Sequence, residues 1–236
     1  MGQFPQPKGK KGSLKWVQLL VNEYPELINS PLRKMSGLTY DIPISWLSPI
    51  FTDQFAEYRD QAFLDLLDIH LVHRPLGTFW PGRGPQWDAL ARAGSGEVFL
   101  VEAKAHVDEM LSSGTKSSTK SKMLIDRSFI EVQKFLDVHP VVDWSQVLYQ
   151  YANRLAHLYL LRELNDVQAF LVLLYFVRDR EMDGPLTIGE WKSAIKIVKG
   201  VLGLPEQHKL SPYVIDIFID ISQMEKGAFT GESITF

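Results

Sequence analysis

The centre of the chain contains two apolar runs separated by a glycine-rich turn. The runs cover residues 87–93 and 97–104, and Gly94-Ser95-Gly96 lies between them. Two runs of strand length around such a turn predict a β-hairpin with a three-residue loop. Apolar side chains occupy both sets of alternating positions, so the hairpin is predicted to be an internal pair of strands with both faces covered.

Elsewhere the apolar positions recur with helical or strand periodicity. Helices are predicted over residues 14–22, 53–69, 123–136, 144–164 and 188–202, and strands over residues 77–80, 167–177 and 213–221. Ser13 and Thr187 are predicted helix N-caps, Asn29-Ser30-Pro31 is predicted to close the first helical segment, and residues 36–49 are predicted to be a loop. Residues 1–12 are predicted to be a flexible basic tail, and residues 13–236 are predicted to form a single domain.

The predicted turn fixes which side chains of the hairpin face each other. If Ala93 faces Glu97, then Asp88 lies directly opposite Glu102, with Cβ atoms about 5 Å apart on one face. Lys104 follows Glu102 by two residues and shares that face. Leu90, Val98 and Leu100 are predicted on the same face, and Trp87, Ala89, Ala91, Phe99, Val101 and Ala103 on the opposite one.

Two carboxylates beside an ammonium group suit metal-dependent hydrolysis. Mg²⁺ prefers oxygen ligands, commonly one or two carboxylates with waters and substrate phosphate oxygens. Asp88 and Glu102 could supply the carboxylates, the Ala103 carbonyl lies between them, and Lys104 could orient or deprotonate water. The alternative is a solvated cross-strand ion pair. The apolar neighbours favour the active-site interpretation, because charge on a buried strand is costly unless it is paired or metal-bound.

Asp88, followed by the Glu102-Ala103-Lys104 triplet on a strand–turn–strand unit, resembles the signature of the PD-(D/E)XK nuclease superfamily. The resemblance covers residues 53–177, which would form the core. It departs from the family pattern at Trp87, where the name of the superfamily implies a proline, and Pro85 lies two places earlier.

The resemblance implies an α/β fold with a restriction-endonuclease-like αβββαβ core around a mixed central sheet. An N-terminal helix and a C-terminal helix–strand pair would be additions to that core. It also implies Mg²⁺ or Mn²⁺ as cofactor, nucleic acid and in particular DNA as substrate, and a homodimer for a double-strand cutter. Asp88, Glu102 and Lys104 would then be the catalytic residues, with Asp88, Glu102 and the Ala103 carbonyl on the metal.

Further candidates lie outside the hairpin. The superfamily often draws one more metal-binding acid from a helix before the hairpin, which indicates Glu57 and secondarily Asp60, although a solvated helix face is equally consistent. His106 would lie on the catalytic face or in a loop. Lys116 and Lys120 belong to a polar segment that would close over a phosphate backbone or simply be flexible. On the predicted helix 144–164, Gln150 and Arg154 are candidates for substrate contact or members of a solvated stripe.

Composition limits the alternatives. The chain has 236 residues, no cysteine and a formal net charge of −3. Disulfides and thiolate metal sites are therefore excluded, and no apolar run is long enough to span a membrane. A cytoplasmic protein is the default expectation. The acidic balance argues against tight sequence-independent binding of DNA by the metal-free protein, since such binders are normally basic.

The sequence therefore predicts a metal-dependent nuclease that hydrolyses phosphodiester bonds. The principal alternative is a non-catalytic member of the same fold that binds nucleic acid or protein. A glycosidase using the two carboxylates is a further alternative, because retaining enzymes place their carboxyl groups about 5 Å apart. The lysine beside the acids argues against that alternative.

Overall fold

A mixed five-stranded sheet organises the protein, whose computed structural model describes residues 2–224. The strands are β1 (Gln3–Phe4), β2 (Ile44–Ser48), β3 (Glu57–Tyr58), β4 (Ala89–Ala93), β5 (Val98–Lys104), β6 (Ala169–Val177) and β7 (Val214–Asp220). The large sheet has the order β2-β4-β5-β6-β7, and β1 pairs with β3 separately. Strands β2, β4 and β5 are antiparallel neighbours, whereas β5, β6 and β7 run parallel.

Helices cover both faces of this sheet. They are α1 (Gly12–Glu23), α2 (Pro25–Ser36), α3 (Gln61–Leu66), α4 (Leu76–Phe79), α5 (Thr119–Leu136), α6 (Tyr149–Asn165) and α7 (Ile188–Val201). Helices α1 and α2 pack on one face, and α5, α6 and α7 contribute to the core on the other. The predicted mixed α/β class with a mixed central sheet is confirmed.

The central hairpin has the predicted register over its paired residues, where Leu90 pairs with Leu100 and Ala91 with Phe99. Asp88 lies before these pairs, and its amide donates to the Val101 carbonyl at 3.1 Å, so the predicted pairing of Asp88 with Glu102 is not formed. Gly96 adopts a φ of +108° in the turn, a conformation that favours glycine. Both strands are internal to the sheet, as their two apolar faces predict.

The two faces of the sheet differ in composition. Ala89, Phe99, Val101 and Ala103 pack against the α1–α2 side, as the alternation predicts. Leu90, Val98 and Leu100 pack on the other side with α5 and α6. Trp87 also belongs to this second cluster, so its predicted face is wrong: it lies before β4, and its amide donates to Tyr58 rather than to β5.

The long periodic segments form the predicted elements. Strand β6 is buried along its whole length and follows α6 as a parallel crossover. Strand β7 is at the sheet edge and alternates buried and partly exposed residues. Thr187 caps α7 through a capping box with Glu190. Helices α5 and α6 also lie within the predicted ranges or extend slightly beyond them.

Two predictions before the hairpin are wrong because tertiary contacts determine the local conformation. Residues 53–69 do not form one helix; they contain β3 and the short helix α3, separated by Asp60 at φ +53° and ψ −141°. Pairing with β1 holds Glu57 and Tyr58 extended. Residues 77–80 are not a strand but belong largely to α4, whose Thr78 hydroxyl donates to the Pro75 carbonyl.

The N-terminal third also differs from the prediction. Asn29-Ser30-Pro31 lies inside α2 rather than closing a segment, and residues 36–49 contain β2, the strand that completes the antiparallel part of the sheet. Ser13 is not the N-cap of α1, which begins at Gly12 after Lys11. The predicted flexible tail is wrong at β1, where Gln3 pairs with Tyr58 and Phe4 with Glu57.

The predicted domain extends to residue 236, and residues 225–236 lie outside the described residues, as does Met1. Between residues 2 and 224, no helix is long and apolar enough to cross a membrane.

Candidate active site

A large cleft opens where β5 ends and β4 begins. Its volume is about 1420 Å³, and its lining includes Asp88, Glu102 and Lys104. The hairpin register brings the three together because Asp88 precedes β4 while Glu102 and Lys104 are the last residues of β5 on their face. The fold therefore brings these three predicted residues to the lining of one cleft.

Asp88 is held by the backbone of β5. Its Oδ2 accepts a hydrogen bond from the Ala103 amide at 2.7 Å, beyond the last paired residues of β4 and β5. In an extended strand the N–H and C=O of one residue point to the same side. The Ala103 carbonyl is therefore directed toward the Asp88 side of β5, beyond the end of the β4 ladder.

Glu102 is buried, with 5% of its surface exposed, and both of its carboxylate oxygens have cationic partners. Lys104 Nζ lies 2.5 Å from Oε1, and Arg154 Nε donates to Oε2 at 2.6 Å. Lys104 also donates to Gln150 Oε1 at 3.2 Å. Helix α6 thus contributes Arg154, which holds Glu102, and Gln150, which holds Lys104.

Arg154 connects Glu102 to the segment before β4. Its Nη2 donates to the Gln86 carbonyl at 2.8 Å, its Nη1 donates to Asn153 Oδ1 at 2.9 Å, and its guanidinium lies 4.8 Å from the centre of the Trp87 ring. Only 5% of its surface is exposed. The polar stripe of α6 is therefore buried against the site rather than solvated.

The two hairpin acids, Glu102 and Asp88, differ in the positive charge beside them. Burial opposes ionisation of Glu102, but the charges of Arg154 and Lys104 outweigh it and lower the pKa of this carboxyl. Burial and the neighbouring Glu102 charge raise the pKa of Asp88 well above its usual value. Burial alone would lower the pKa of Lys104, yet Glu102 and Asp88 raise it. Negative charge near Asp88 is thus incompletely balanced.

Glu57 also lines the cleft, although it lies on β3 rather than on a helix. Its Oε2 accepts from Gln86 Nε2 at 2.5 Å and from Gln6 Nε2 at 3.2 Å. Burial raises its pKa, and the Glu102 charge contributes to the increase. Asp60 has a different role: its carboxylate accepts from the amides of Arg83 and Gly84 and holds that turn at the cleft rim.

The weaker candidates are divided between cleft and surroundings. Gln150, Arg154 and Lys116 line the cleft. His106 does not contribute to the lining and lies 3.6 Å from Glu109, beyond the end of β5. Lys120 is exposed in the first turn of α5 and is likewise absent from the lining.

The residues present fit a divalent cation. Between residues 2 and 224 no group of three or more histidine, aspartate or glutamate side chains forms a complete metal cage. Mg²⁺ commonly takes only one or two carboxylates and fills its remaining positions with water and substrate oxygens. Asp88, Glu102 and the Ala103 carbonyl offer that set, and Asp88 has no cationic side chain within salt-bridge distance among the described residues.

Sequence reasoning missed Gln86 and Gln6, which hold Glu57, and Asn153, which holds Arg154. The signal for Asn153 was available, because it adjoins Arg154 on a helix that precedes a buried strand. The contact of Gln86 with Glu57 could not be predicted from the sequence, because the position of Gln86 depends on the path of the chain through the Pro81–Pro85 turn.

Comparison with known proteins does not extend this description. No protein-family model, no curated protein and no solved structure matches the chain.

Proposed function

We propose that the protein is a Mg²⁺- or Mn²⁺-dependent nuclease that hydrolyses phosphodiester bonds in DNA. The observation that carries the proposal is the grouping of Asp88, Glu102 and Lys104 on one cleft wall, with Asp88 hydrogen-bonded to the Ala103 amide. The strand order and directions, in which a three-stranded antiparallel unit is followed by a parallel strand, support a restriction-endonuclease-like core and PD-(D/E)XK membership.

The roles follow from the contacts. Asp88, Glu102 and the Ala103 carbonyl would hold the ion, which when bound supplies positive charge to the scissile phosphate and its attacking water. Lys104 is fixed between Glu102 and Gln150, so its ammonium can donate to the water or to a phosphate oxygen. Glu57 is within electrostatic reach of Glu102 and serves as an additional acid of the site.

Cleavage by the purified protein tests the proposal. Linear, circular and single-stranded DNA are incubated with Mg²⁺ or Mn²⁺, and the reaction is repeated with Asp88→Asn and Lys104→Met. Loss of a general acid–base or charge-stabilising group costs about 10³-fold, so each variant should fall by that factor. Glu163→Gln and Lys196→Met alter exposed residues outside the cleft and should leave the rate unchanged. Unchanged cleavage in both site variants eliminates the mechanism.

One observation favours a second function. Both oxygens of Glu102 already have cationic partners, as expected of a non-catalytic protein that has kept the fold to bind nucleic acid or another protein. Such a protein would bind DNA without turnover at any metal concentration, and Asp88→Asn would leave its affinity unchanged. The predicted homodimer remains a prediction, which sedimentation of the purified protein checks.

A further inference from the structure

The N-terminal segment of residues 3–13, here called the strap, connects two residues of the cleft lining. Phe4 lines the cleft and pairs with Glu57, and the Gln6 side chain donates to the same glutamate. At the other end, Ser13 also lines the cleft and its hydroxyl donates to Glu109 Oε1 at 3.1 Å. The strap therefore meets the cleft at both of its ends.

The middle of the strap is fixed to α1 rather than loose. The side chain of Gln18, which is only 4% exposed, accepts from the Gly9 amide at 2.8 Å and donates to the Pro7 carbonyl at 3.0 Å. A Cβ at Gly9 would lie 2.5 Å from the Lys15 amide nitrogen, so the backbone packs closely on the helix. These contacts give the strap a defined path between its two ends.

Three lysines project from this fixed segment. Lys8, Lys10 and Lys11 are exposed, and none of them forms a salt bridge with a described residue. Lys15, by contrast, is paired with Glu181 at 3.3 Å. The chain has a net charge of −3, so this is a local concentration of unpaired positive charge.

We propose that the strap is a phosphate-binding track for a DNA strand that continues out of the cleft. Lys8 and Lys11 are three residues apart, so their Cα atoms are separated by at most about 10 Å. Phosphates follow one another at about 3.4 Å of axial rise along a DNA strand, so the long side chains of the three lysines could contact about three phosphates. The location of the track rests on the proposed function, whereas the contact itself requires only a phosphodiester backbone.

The strap lysines add to the positive charge of the cleft lining. Two lining cations, Lys104 and Arg154, are engaged by Glu102, and Arg59 lies 3.7 Å from Asp60. Arg83 and Lys116 also line the cleft, and neither forms a salt bridge with a described residue. The strap lysines lie along the chain between Phe4 and Ser13, which both line the cleft, so they would extend this positive charge beyond the cleft lining.

The test measures DNA binding separately from cleavage. Full-length protein carrying Asp88→Asn is titrated, in EDTA, into a labelled oligonucleotide long enough to pass the cleft, over a series of salt concentrations. The same measurement is made after adding Lys8→Gln, Lys10→Gln and Lys11→Gln. A matched control carries Lys134→Gln, Lys192→Gln and Lys196→Gln, three exposed lysines outside the cleft lining. Thermal unfolding of each variant verifies that it folds.

Each phosphate contact contributes about 0.7 to 0.9 to the slope of log affinity against log salt concentration. The strap variant should therefore lose about 2 from that slope and bind at least about tenfold more weakly at low salt, while the control keeps the parent values. Replacement of the same lysines by arginine should preserve the slope. An unchanged slope in the strap variant overturns the inference, as does a parent that binds no DNA.

The inference and the proposed function can fail independently. If DNA binding depends on the strap lysines but the wild-type protein does not cleave DNA, the phosphate-binding track is supported and the proposed nuclease function is rejected. If the protein cleaves DNA but the salt dependence of its DNA binding is unchanged by the strap substitutions, the nuclease function is supported and the track is rejected. If the lysines instead govern binding to anionic phosphatidylserine vesicles, while DNA binding does not depend on them, the track is not a nucleic-acid surface.

Discussion

The two faces of the central sheet carry different kinds of residue. On the α1–α2 face, the inward positions of β4 to β7 are alanine, valine, leucine, isoleucine or phenylalanine throughout, including Ala103, Leu174 and Ile217. On the α6 face, the same strands carry Glu102, Lys104, Tyr175 and Asp216 among their apolar residues. One face is an apolar core, and the other combines a core with a set of buried charges.

The difference shows what a buried charge requires from its neighbours. Glu102 is tolerated because Lys104 and Arg154 neutralise it, and Arg154 is in turn satisfied by Gln86 and Asn153. The inward strand residues of the opposite face carry no charge and need no such partners, and the burial of their apolar area stabilises the fold. Substitutions on the two faces should therefore affect stability and activity in different ways.

The largest effect is expected where a buried charge loses its partner. Arg154→Met leaves Glu102 with Lys104 alone, and removing one partner of a buried ion pair costs about 4 kcal/mol. Urea denaturation should show a loss of that size in the free energy of unfolding. The double variant with Glu102→Gln should recover part of the loss, because no charge is then left unpaired. A loss below about 1 kcal/mol would show that the face is less tightly coupled than its contacts indicate.

A slightly smaller effect is expected on the apolar face. Leu174 is fully buried there, and truncation of a buried leucine costs about 3 kcal/mol through lost transfer energy and the cavity left behind. Leu174→Ala should lower the unfolding midpoint but, at a temperature where both proteins are folded, leave DNA cleavage unchanged. A selective fall in cleavage would instead mean that the two faces are not energetically separate.

The smallest effect is a pH dependence that belongs to the α6 face. His157 is 1% exposed, and burial lowers its pKa from 6.5 to about 3. Between these two pH values the unfolded chain binds a proton at His157 and the folded protein does not. The contribution of His157 to the free energy of unfolding is therefore fully present above pH 6.5 and is lost as the pH falls toward about 3. The slope is at most about 1.4 kcal/mol per pH unit. His157→Gln should flatten the difference in stability between pH 6.5 and about 5; an unaltered profile would contradict this assignment.

The fold was predictable where the sequence pattern was long and local. The continuous apolar run of β6, the alternation of β7 and the capping box of α7 each depend on neighbouring residues. The short elements were not predictable, because β1 and β3 are extended only through pairing with each other across more than fifty residues. Strand β2 was concealed by the flanking Pro43 and Pro49 and is stabilised by pairing with β4.

The same distinction applies to the site. The pairing set by one tight turn was sufficient to predict that Asp88, Glu102 and Lys104 reach the same cleft, although Asp88 itself lies before the paired residues. The position of Arg154 was not decidable, because polar residues spaced four apart on a helix are equally suited to solvent and to a buried partner. Glu57 was predicted in the site on a helix, but it reaches the cleft from a strand held by Gln6 and Gln86.

The hairpin turn has a practical consequence. Ser95 is exposed at one end of β4 and β5, whereas Asp88 and Lys104 lie at the other end of the same strands. Four paired positions separate the turn from the cleft. A peptide epitope or a fluorophore attached at Ser95 would therefore report on the molecule without occupying the space where a substrate would enter.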